Sequence, residues 1–462
     1  MKVLMLGWEY PPHIAGGLGV ACEGLTKALA RLGVEVTFVV PRLVGDELAE
    51  HMNLRDAFGK KQKRRRGIKK VALPVALSPY LNEESFDDLL AALDPSEAKR
   101  LLNKSLFPQF TRAQLDQFLA SLSLSKRAES LLGAAYSAKV YEQVSLFADL
   151  VFNLAQEEDF DIVHAHDWMT FPAGIAVAQA AGVPLVTHVH SLEYDRTGLV
   201  VNPRIDAIER AGTSYANAIC AVSRHTRQIL HKQHGTPLRK IVAVHNGHLR
   251  KKVATFHKDR AKWNGPIVLF LGRITFQKGP ANFLYAAQKV LAHIPDAIFV
   301  MAGSGDLLPS MKQLARELGI SQNVVFPGFM KGREWQEMFS ISDLFVLPSV
   351  SEPFGLTPLE AVEFHTPAII SKQSGVAEVL NHALKFDYWE VDKLADYIIN
   401  GLVHKEMCDD MIDGAALELQ KLTWDSAAKK VVQVYSTLLK NVKVSANVNV
   451  KTRNEERGVV NG

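Results

Sequence analysis

The sequence predicts an α/β protein built as two doubly wound parallel sheets, on three observations. Short apolar runs alternate with stretches whose apolar spacing is helical, which is the signature of βαβ units. The alternation stops at a polar stretch rich in Lys and Arg, Leu249 to Asn264, and begins again at Pro266. In the second half most runs finish on glycine or serine just before a helix, the edge at which such sheets place their ligands. At 462 residues the chain is too long for one ordinary domain. Its 47% apolar and 22% charged residues are the balance of a soluble globular protein. A net charge of +4 gives no general affinity for polyanions, so no nucleic-acid partner is expected. The three cysteines, Cys22, Cys220 and Cys408, are scattered and odd in number, which suggests a reducing, cytoplasmic setting without a disulfide framework. No apolar run reaches the roughly 18 residues needed to span a bilayer.

The first domain, residues 1–250, opens as strand, glycine turn, helix, strand. Lys2 to Trp8 is an apolar strand that soon meets Glu9, Pro11 and Pro12, so it reads as β-structure rather than as a signal peptide. Gly16, Gly17 and Gly19 make the turn, Leu25, Leu29 and Leu32 carry a helix that stops at Gly33, and Val34 to Val40 is the next strand. The Gly-Gly pair is either a tight turn or a backbone able to approach a phosphate or sugar; its spacing is not the dinucleotide fingerprint. From about 43 to 150 the alternation breaks into helical stripes and a dense basic run, Lys60 to Lys70. That segment is expected to be an insertion, a candidate acceptor-side lid. Its basic run reads as a solvated loop, with peripheral contact to an anionic inner membrane face through 60–70 or contact to nucleic acid as alternatives.

The α/β pattern resumes with Asp161 to Asp167, a helix from Ala173 to Ala181 and the strand Pro184 to His190. The strands Ala218 to Ser223 and Ile241 to Gly247 close the first domain. In the second domain, residues 265–423, strands end at Gly272, Gly303, Phe329, Ser349 and Ser371, each followed by a helical stretch. A last helix, 424–440, follows at Trp424. Residues 441–462 are polar and patternless and are expected to be disordered.

Between the strand Leu344 to Pro348 and a helix lies Ser351-Glu352-Pro353-Phe354-Gly355-Leu356-Thr357-Pro358-Leu359-Glu360-Ala361. Its two carboxylates flank a strand-to-helix turn, with Glu352 in the crevice and Glu360 in the first helical turn. Thr357 to Glu360 also spells a capping box, and taken alone Glu360 reads as its acid. Glu352, beside Pro353 and Gly355, gains nothing for folding. Gly272-Arg273 and Lys278-Gly279 bring two cations to a strand end, a pairing suited to a diphosphate. Gly303 and its neighbours allow close approach of backbone to a nucleotide, or simply turn the chain.

The order of these elements resembles glycosyltransferase family 4 and its glycogen and starch synthase relatives: an early Gly-Gly loop, His164-Ala165-His166-Asp167-Trp168, Gly-Arg then Lys-Gly, and the Glu-seven-Glu run. The resemblance implies a GT-B fold, two Rossmann-like domains facing across a cleft with a C-terminal helix crossing back to the first. It implies that Arg273 and Lys278 hold a donor diphosphate and that Glu352 lies by the transferred sugar. The backbone of Phe354, Gly355, Leu356 and Thr357 would meet phosphate and sugar hydroxyls, and Glu360 the ribose. His190 matches the family's active-site histidine, Asp167 an acid in the cleft, and Gly16 and Gly17 would close over the phosphate. The implied activity is retaining transfer of a hexose from a UDP- or ADP-glucose type donor to a carbohydrate acceptor, glycogen synthase-like, with no metal or other cofactor. Fixed cations and a helix N-terminus can meet the charge that develops on the leaving diphosphate.

Alternatives remain at this point. A sugar-nucleotide epimerase could use the same fold, and so could a non-catalytic sugar-nucleotide-binding protein, although a decayed site need not keep charges that are costly to desolvate. His164, His166, His188 and His190 fall at alternate positions on two strands and could ligate zinc with Asp167. Asp159-Phe160-Asp161 spells the Asp-x-Asp of metal-dependent glycosyltransferases, before the wrong strand. The chain departs from the family pattern at Ala15, where bacterial glycogen and starch synthases carry Lys, and at His248 after Asn246-Gly247, where relatives carry Val and then Asp.

Overall fold

The computed structural model describes residues 1–12, 17–43, 47, 49–57, 140–248, 263–330 and 332–458, the last of these as backbone alone from 443. The strands of the first domain are β1 (Lys2–Leu6), β2 (Glu35–Val40), β3 (Asn53–Asp56), β4 (Ile162–His166), β5 (Leu185–Val189), β6 (Ala218–Ala221) and β7 (Ile241–Ala243). They form one parallel sheet in the order β3-β2-β1-β4-β5-β6-β7. In the second domain β8 (Ile267–Leu271), β9 (Ile298–Ala302), β10 (Val324–Gly328), β11 (Leu344–Leu347), β12 (Ala368–Ser371) and β13 (Leu384–Phe386) form a parallel sheet in the order β10-β9-β8-β11-β12-β13. Each sheet reverses its winding once, between β1 and β4 and between β8 and β11. A crevice opens at the strand ends at such a point.

The described helices are α1 (Gly17–Arg31), α2 (Val140–Ala155), α3 (Phe171–Ala181), α4 (Glu193–Thr197), α5 (Pro203–Tyr215), α6 (Arg224–His234), α7 (Pro280–Leu291), α8 (Leu308–Glu317), α9 (Arg333–Ile341), α10 (Thr357–Glu363), α11 (Val391–Val403), α12 (Lys405–Lys421) and α13 (Trp424–Gly458). Helices cover both sheets, so β4, β5 and β11 are buried along their whole length and read as continuous apolar runs rather than as alternation. Helix α13 returns to the first domain and shares a core with α1: Trp424, Val431 and Tyr435 pack with Leu25, Leu29 and Phe38. The fit is close. A Cβ on Gly24 would fall 2.2 Å from Cε2 of Trp424, and one on Gly247 would fall 2.2 Å from its backbone nitrogen.

Three expectations change here. The segment 43–150 is not wholly an insertion, because Asn53–Asp56 is the edge strand β3 paired with β2, and α2 contributes Val144, Phe147 and Val151 to the first core. β3 is four residues, Asn-Leu-Arg-Asp, too short and polar to show a period. Residues 58–139, with the basic run 60–70, lie outside the described residues, as do Gly16 and the linker 249–262. Helix α13 extends to Gly458, past residue 440 and through most of the tail expected to be disordered. No proline or glycine stands between Trp424 and Arg457 to stop it. The second sheet also has a sixth strand, the three-residue β13 at its edge. Among the described residues no helix is long and apolar enough to cross a membrane.

Candidate active site

The first wall of the site forms where β4 and β5 end. Asp167 follows β4 with φ of 60°, a left-handed conformation in which a short polar side chain is tolerated. Its amide donates to the carbonyl of His188 at 2.9 Å, and its Oδ1 accepts the amides of His190 at 2.6 Å and Ser191 at 3.4 Å. Asp167 therefore fixes the backbone from which the His190 ring projects. Burial pushes the Asp167 carboxyl up to about 7, against the pull of those amides and of the Arg196 charge. The His190 imidazole lies 2.9 Å, Nε2 to Nδ1, from His166, and desolvation lowers it to about 3, so its ring is neutral at physiological pH.

Behind His190 stands a column of imidazoles. His188 stacks on His190 with ring centroids 4.4 Å apart, and His164 stacks on His166 at 4.5 Å. His164 hydrogen-bonds the buried Tyr435 hydroxyl of α13. Desolvation, reinforced by the neighbouring imidazoles, holds His164, His166 and His188 well below the usual histidine range. One ring nitrogen from each of His164, His166 and His188 lies within 4.8 Å of the others. Their planes are close to parallel, 7° to 22° between rings, so their in-plane lone pairs do not meet at one point. Tetrahedral zinc at about 2.0–2.1 Å from each nitrogen needs such a meeting point. The Asp-x-Asp alternative falls at the opposite edge of the sheet: Asp159 and Asp161 precede β4, where they accept from the Lys2 ammonium at 2.6 Å and the Lys2 amide at 2.8 Å.

The second wall forms at the ends of β8 and β11. After Gly272 the exposed Arg273 makes one long bond, 3.5 Å, to Gln277 Oε1. The 3-10 turn Phe276–Lys278 ends at Gly279, whose φ is 62° and where a Cβ would fall 2.1 Å from the Pro348 carbonyl oxygen. That close approach aims Lys278 inward, and its ammonium pairs with the carboxylate of Glu352. Glu352 is 6% exposed. Its backbone is held by donation to the Gln373 carbonyl at 2.8 Å and acceptance from the Gly375 amide at 2.9 Å, and Ser349 Oγ lies 3.4 Å from Oε2. Gly355, with φ of 97°, lets the chain turn past the Glu352 side chain, since a Cβ there would stand 3.1 Å from Glu352 Cγ.

Helix α10 begins at Thr357, with Leu356 in the capping position and no side-chain cap. The capping box of Thr357 and Glu360 is thus not made. Thr357 lies one residue too far into the helix, leaving Glu360 half-buried in the first turn. Across the cleft, Gly17 at the start of α1 faces this loop, with Leu356 Cδ1 3.5 Å from where a Cβ would be. Gly303 has a packing reason to be glycine: its φ is 141° and a Cβ would collide with the Gly272 carbonyl oxygen at 1.8 Å.

The structure therefore gathers Lys278, Glu352, Phe354, Gly355, Leu356, Thr357 and Glu360 on one wall and Asp167 and His190 on the other, with Gly17 facing Leu356. Sequence reasoning missed the residues that join the walls. Ser351 Oγ donates to Asp195 Oδ1 at 2.6 Å and lies 3.1 Å from His225 Nε2. Glu378 accepts from the amides of Arg224 at 2.9 Å and His225 at 2.7 Å and lies 2.7 Å from His245 Nε2. Burial alone would raise the Glu378 carboxyl, yet these bonds hold it below the usual range. No short motif carries such pairs, because their partners are more than 100 residues apart.

Comparison with known proteins agrees with this architecture. The family model described as "Glycosyl transferase 4-like domain" matches residues 16–247, and "Glycosyl transferases group 1" matches residues 253–417. An uncharacterised glycosyltransferase of Methanocaldococcus jannaschii is 27% identical over 94% of this chain and 98% of its own. A glycogen synthase of Mycobacterium tuberculosis is 25% identical over 82% of this chain and 80% of its own. Among solved structures, sucrose-phosphate synthase from Thermosynechococcus elongatus superposes with a TM-score of 0.68 at 17% identity, covering 95% of this chain and 99% of that one. The catalytic domain of starch synthase IV from Arabidopsis thaliana, bound to ADP and acarbose, superposes with a TM-score of 0.63 at 16% identity, covering 95% and 99%. Two parallel Rossmann-like sheets wound alike, GT-B neighbours over nearly the whole chain and both family models in register lead to one statement: the chain belongs to the glycosyltransferase 4-like family, with a GT-B fold and a group 1 glycosyltransferase domain as its second half.

Proposed function

We propose that the chain is a retaining hexosyltransferase that moves a hexose from a nucleoside-diphosphate sugar to a carbohydrate acceptor. The observation that carries this reading is the Lys278–Glu352 pair, largely shielded from water at the switch point of the second sheet and one residue from Ser351, which bonds to Asp195 of the first domain. A buried ion pair contributes little to folding, so its retention in a crevice favours a role in binding and chemistry. The starch synthase neighbour is bound to ADP, which supports a nucleotide-containing donor.

In this reading Arg273 and Lys278 hold the diphosphate, the turn Phe354–Thr357 faces phosphate and sugar hydroxyls, and Glu360 takes the ribose. The bond from the sugar C1 to the diphosphate oxygen breaks while the acceptor oxygen bonds to C1 on the same face. The acceptor proton passes to the departing phosphate oxygen. Glu352 and the neutral His190 ring flank the reacting sugar, where a carboxylate can offset positive charge developing there. Asp167 acts through the His190 backbone. The two cations meet the leaving-group charge, so we propose transfer without a metal, and undiminished turnover in excess chelator is the expected result. The test of the whole reading is turnover of UDP- and ADP-glucose with glucan acceptors, the product analysed by NMR. An α-linked product from an α-linked donor supports retention. An inverted product, or rearranged donor formed without acceptor, would replace the reading with inversion or epimerisation.

A further inference from the structure

Ser351 stands directly before Glu352 in the chain and bonds to the other domain. Its hydroxyl donates to Asp195 Oδ1, in α4 of the first domain, at 2.6 Å and lies 3.1 Å from His225 Nε2, in α6 of the same domain. Asp195 is 1% exposed, and its other oxygen accepts the Leu192 amide at 2.8 Å, so the carboxylate is also held from within its own domain. Loss of water around it raises its carboxyl, with the Ser351 bond pulling the other way. A buried carboxylate that keeps one oxygen for a hydroxyl from the opposite domain is costly to desolvate unless that bond forms.

The same loop is braced from α6 at two further points. Thr226 Oγ1 lies 3.4 Å from the Pro353 carbonyl oxygen, directly after Glu352. A Cβ on Gly375 would fall 2.6 Å from that of Ser223, the residue that caps α6, so the Gly375 backbone meets the Ser223 side chain without a gap. Glu378 completes the contact by accepting the first two amides of α6. The Glu352 backbone is in turn tied to Gln373 and Gly375. The first domain thus grips the segment on both sides of Glu352 and the strand-end turn beside it.

We propose that Ser351 and Asp195 form a latch by which closure of the two domains sets the position of Glu352, making both positioning residues for the transfer proposed above. The latch rests on that reading for its consequence in turnover but not for its consequence in domain geometry. With the latch formed, the carboxylate of Glu352 stays against Lys278 in the crevice. Without it, the Glu352 segment keeps its bonds within the second domain and its contacts to Thr226, Ser223 and the α6 amides, but loses the tie to the first domain at the residue directly before Glu352. Misplacing a reacting group by about 1 Å costs on the order of a hundredfold in rate, so partial loosening should cost about tenfold.

The experiment compares Ser351→Ala, Ser351→Thr and Asp195→Asn with the wild type in the full chain by two readouts. One is the interdomain distance distribution from spin labels placed on the exposed faces of α5 and α11. The other is the separation of kcat from donor KM. Expected are a wider or longer distance distribution in Ser351→Ala and Asp195→Asn, a drop of about tenfold in kcat with donor KM within about twofold, and recovery of both in Ser351→Thr, which keeps the hydroxyl. A general loss of packing would lower Tm in all three variants without restoring kcat in Ser351→Thr, and that pattern overturns the proposal. So do unchanged distances with unchanged kcat. If the wild type turns over no sugar nucleotide, the transferase reading fails by itself. The distances alone then decide the latch: broadening in Ser351→Ala with recovery in Ser351→Thr supports it, and no change overturns it.

Discussion

The ammonium of Lys278 and the carboxylate of Glu352 pair in the crevice between β8 and β11, each largely shielded from water. The two residues are 74 apart in the chain and come together because the winding of the sheet reverses between their strands. Glu352→Gln keeps the size and hydrogen-bonding capacity of the side chain and removes its charge. The expected outcome is a folded protein that still gains Tm on donor binding but loses about a hundredfold or more in kcat, measured by steady-state transfer. Full turnover in this variant removes Glu352 from the chemistry.

Lys278→Ala is expected to behave differently, because it leaves the Glu352 carboxylate buried without its cation. Breaking one side of such a pair costs about 3 kcal/mol of stability. Denaturant unfolding of the variant against the wild type checks this, and a midpoint within error of the wild type would contradict it.

The Asp167 carboxyl gives a pH signature. Its folded value, about 7, lies above the ordinary 3.8, so between those values the native state holds a proton that the unfolded state has released. Its contribution to stability is therefore full at low pH, falls as pH rises from about 4 to about 7, and is flat above. His190 runs the other way: its folded value of about 3 means that stability is lost as pH falls below about 6.5, where the unfolded ring protonates. The difference in Tm between wild type and Asp167→Asn, followed by calorimetry, should move against the wild type as pH rises through that window. A difference independent of pH would mean that Asp167 is ionised throughout.

Helix α13 is expected to be essential to the first domain. Trp424→Ala removes an indole packed on Gly24 in the shared core of α1 and α13 and should cost about 3–5 kcal/mol. Thermal unfolding checks this, and a loss below about 1 kcal/mol would show that the crossing helix contributes little.

Much of this was legible in the sequence because parallel sheets write themselves as buried apolar runs. The ends of β8, β9, β11 and β12 fall within two residues of the positions read from Gly272, Gly303, Ser349 and Ser371. Glu352 stood out because no local structure needs it, and the Gly279 and Gly355 turns mark where the chain must bend around the site. β3 and β13 were invisible: edge strands of three or four residues carry no period. The capping box that Thr357 to Glu360 also spelled is not made, because a Ser/Thr-x-x-Glu spacing does not say which residue the helix begins on. Ser351, Asp195, His225 and Glu378 could not be found at all, since each acts through a partner brought near only by the meeting of the two domains.

Sugar-nucleotide binding at the Arg273 wall is tested by a thermal-shift panel of UDP-, ADP- and GDP-sugars on the wild type and on Arg273→Ala. Arg273 is exposed and, among the described residues, its side chain makes one long bond, so its loss should leave the ligand-free Tm unchanged. A ligand that binds only the folded state raises Tm by linkage. A selective rise with one class of sugar nucleotide, largely lost in Arg273→Ala, is the expected result. No rise with any donor, or an equal rise in the variant, would contradict it.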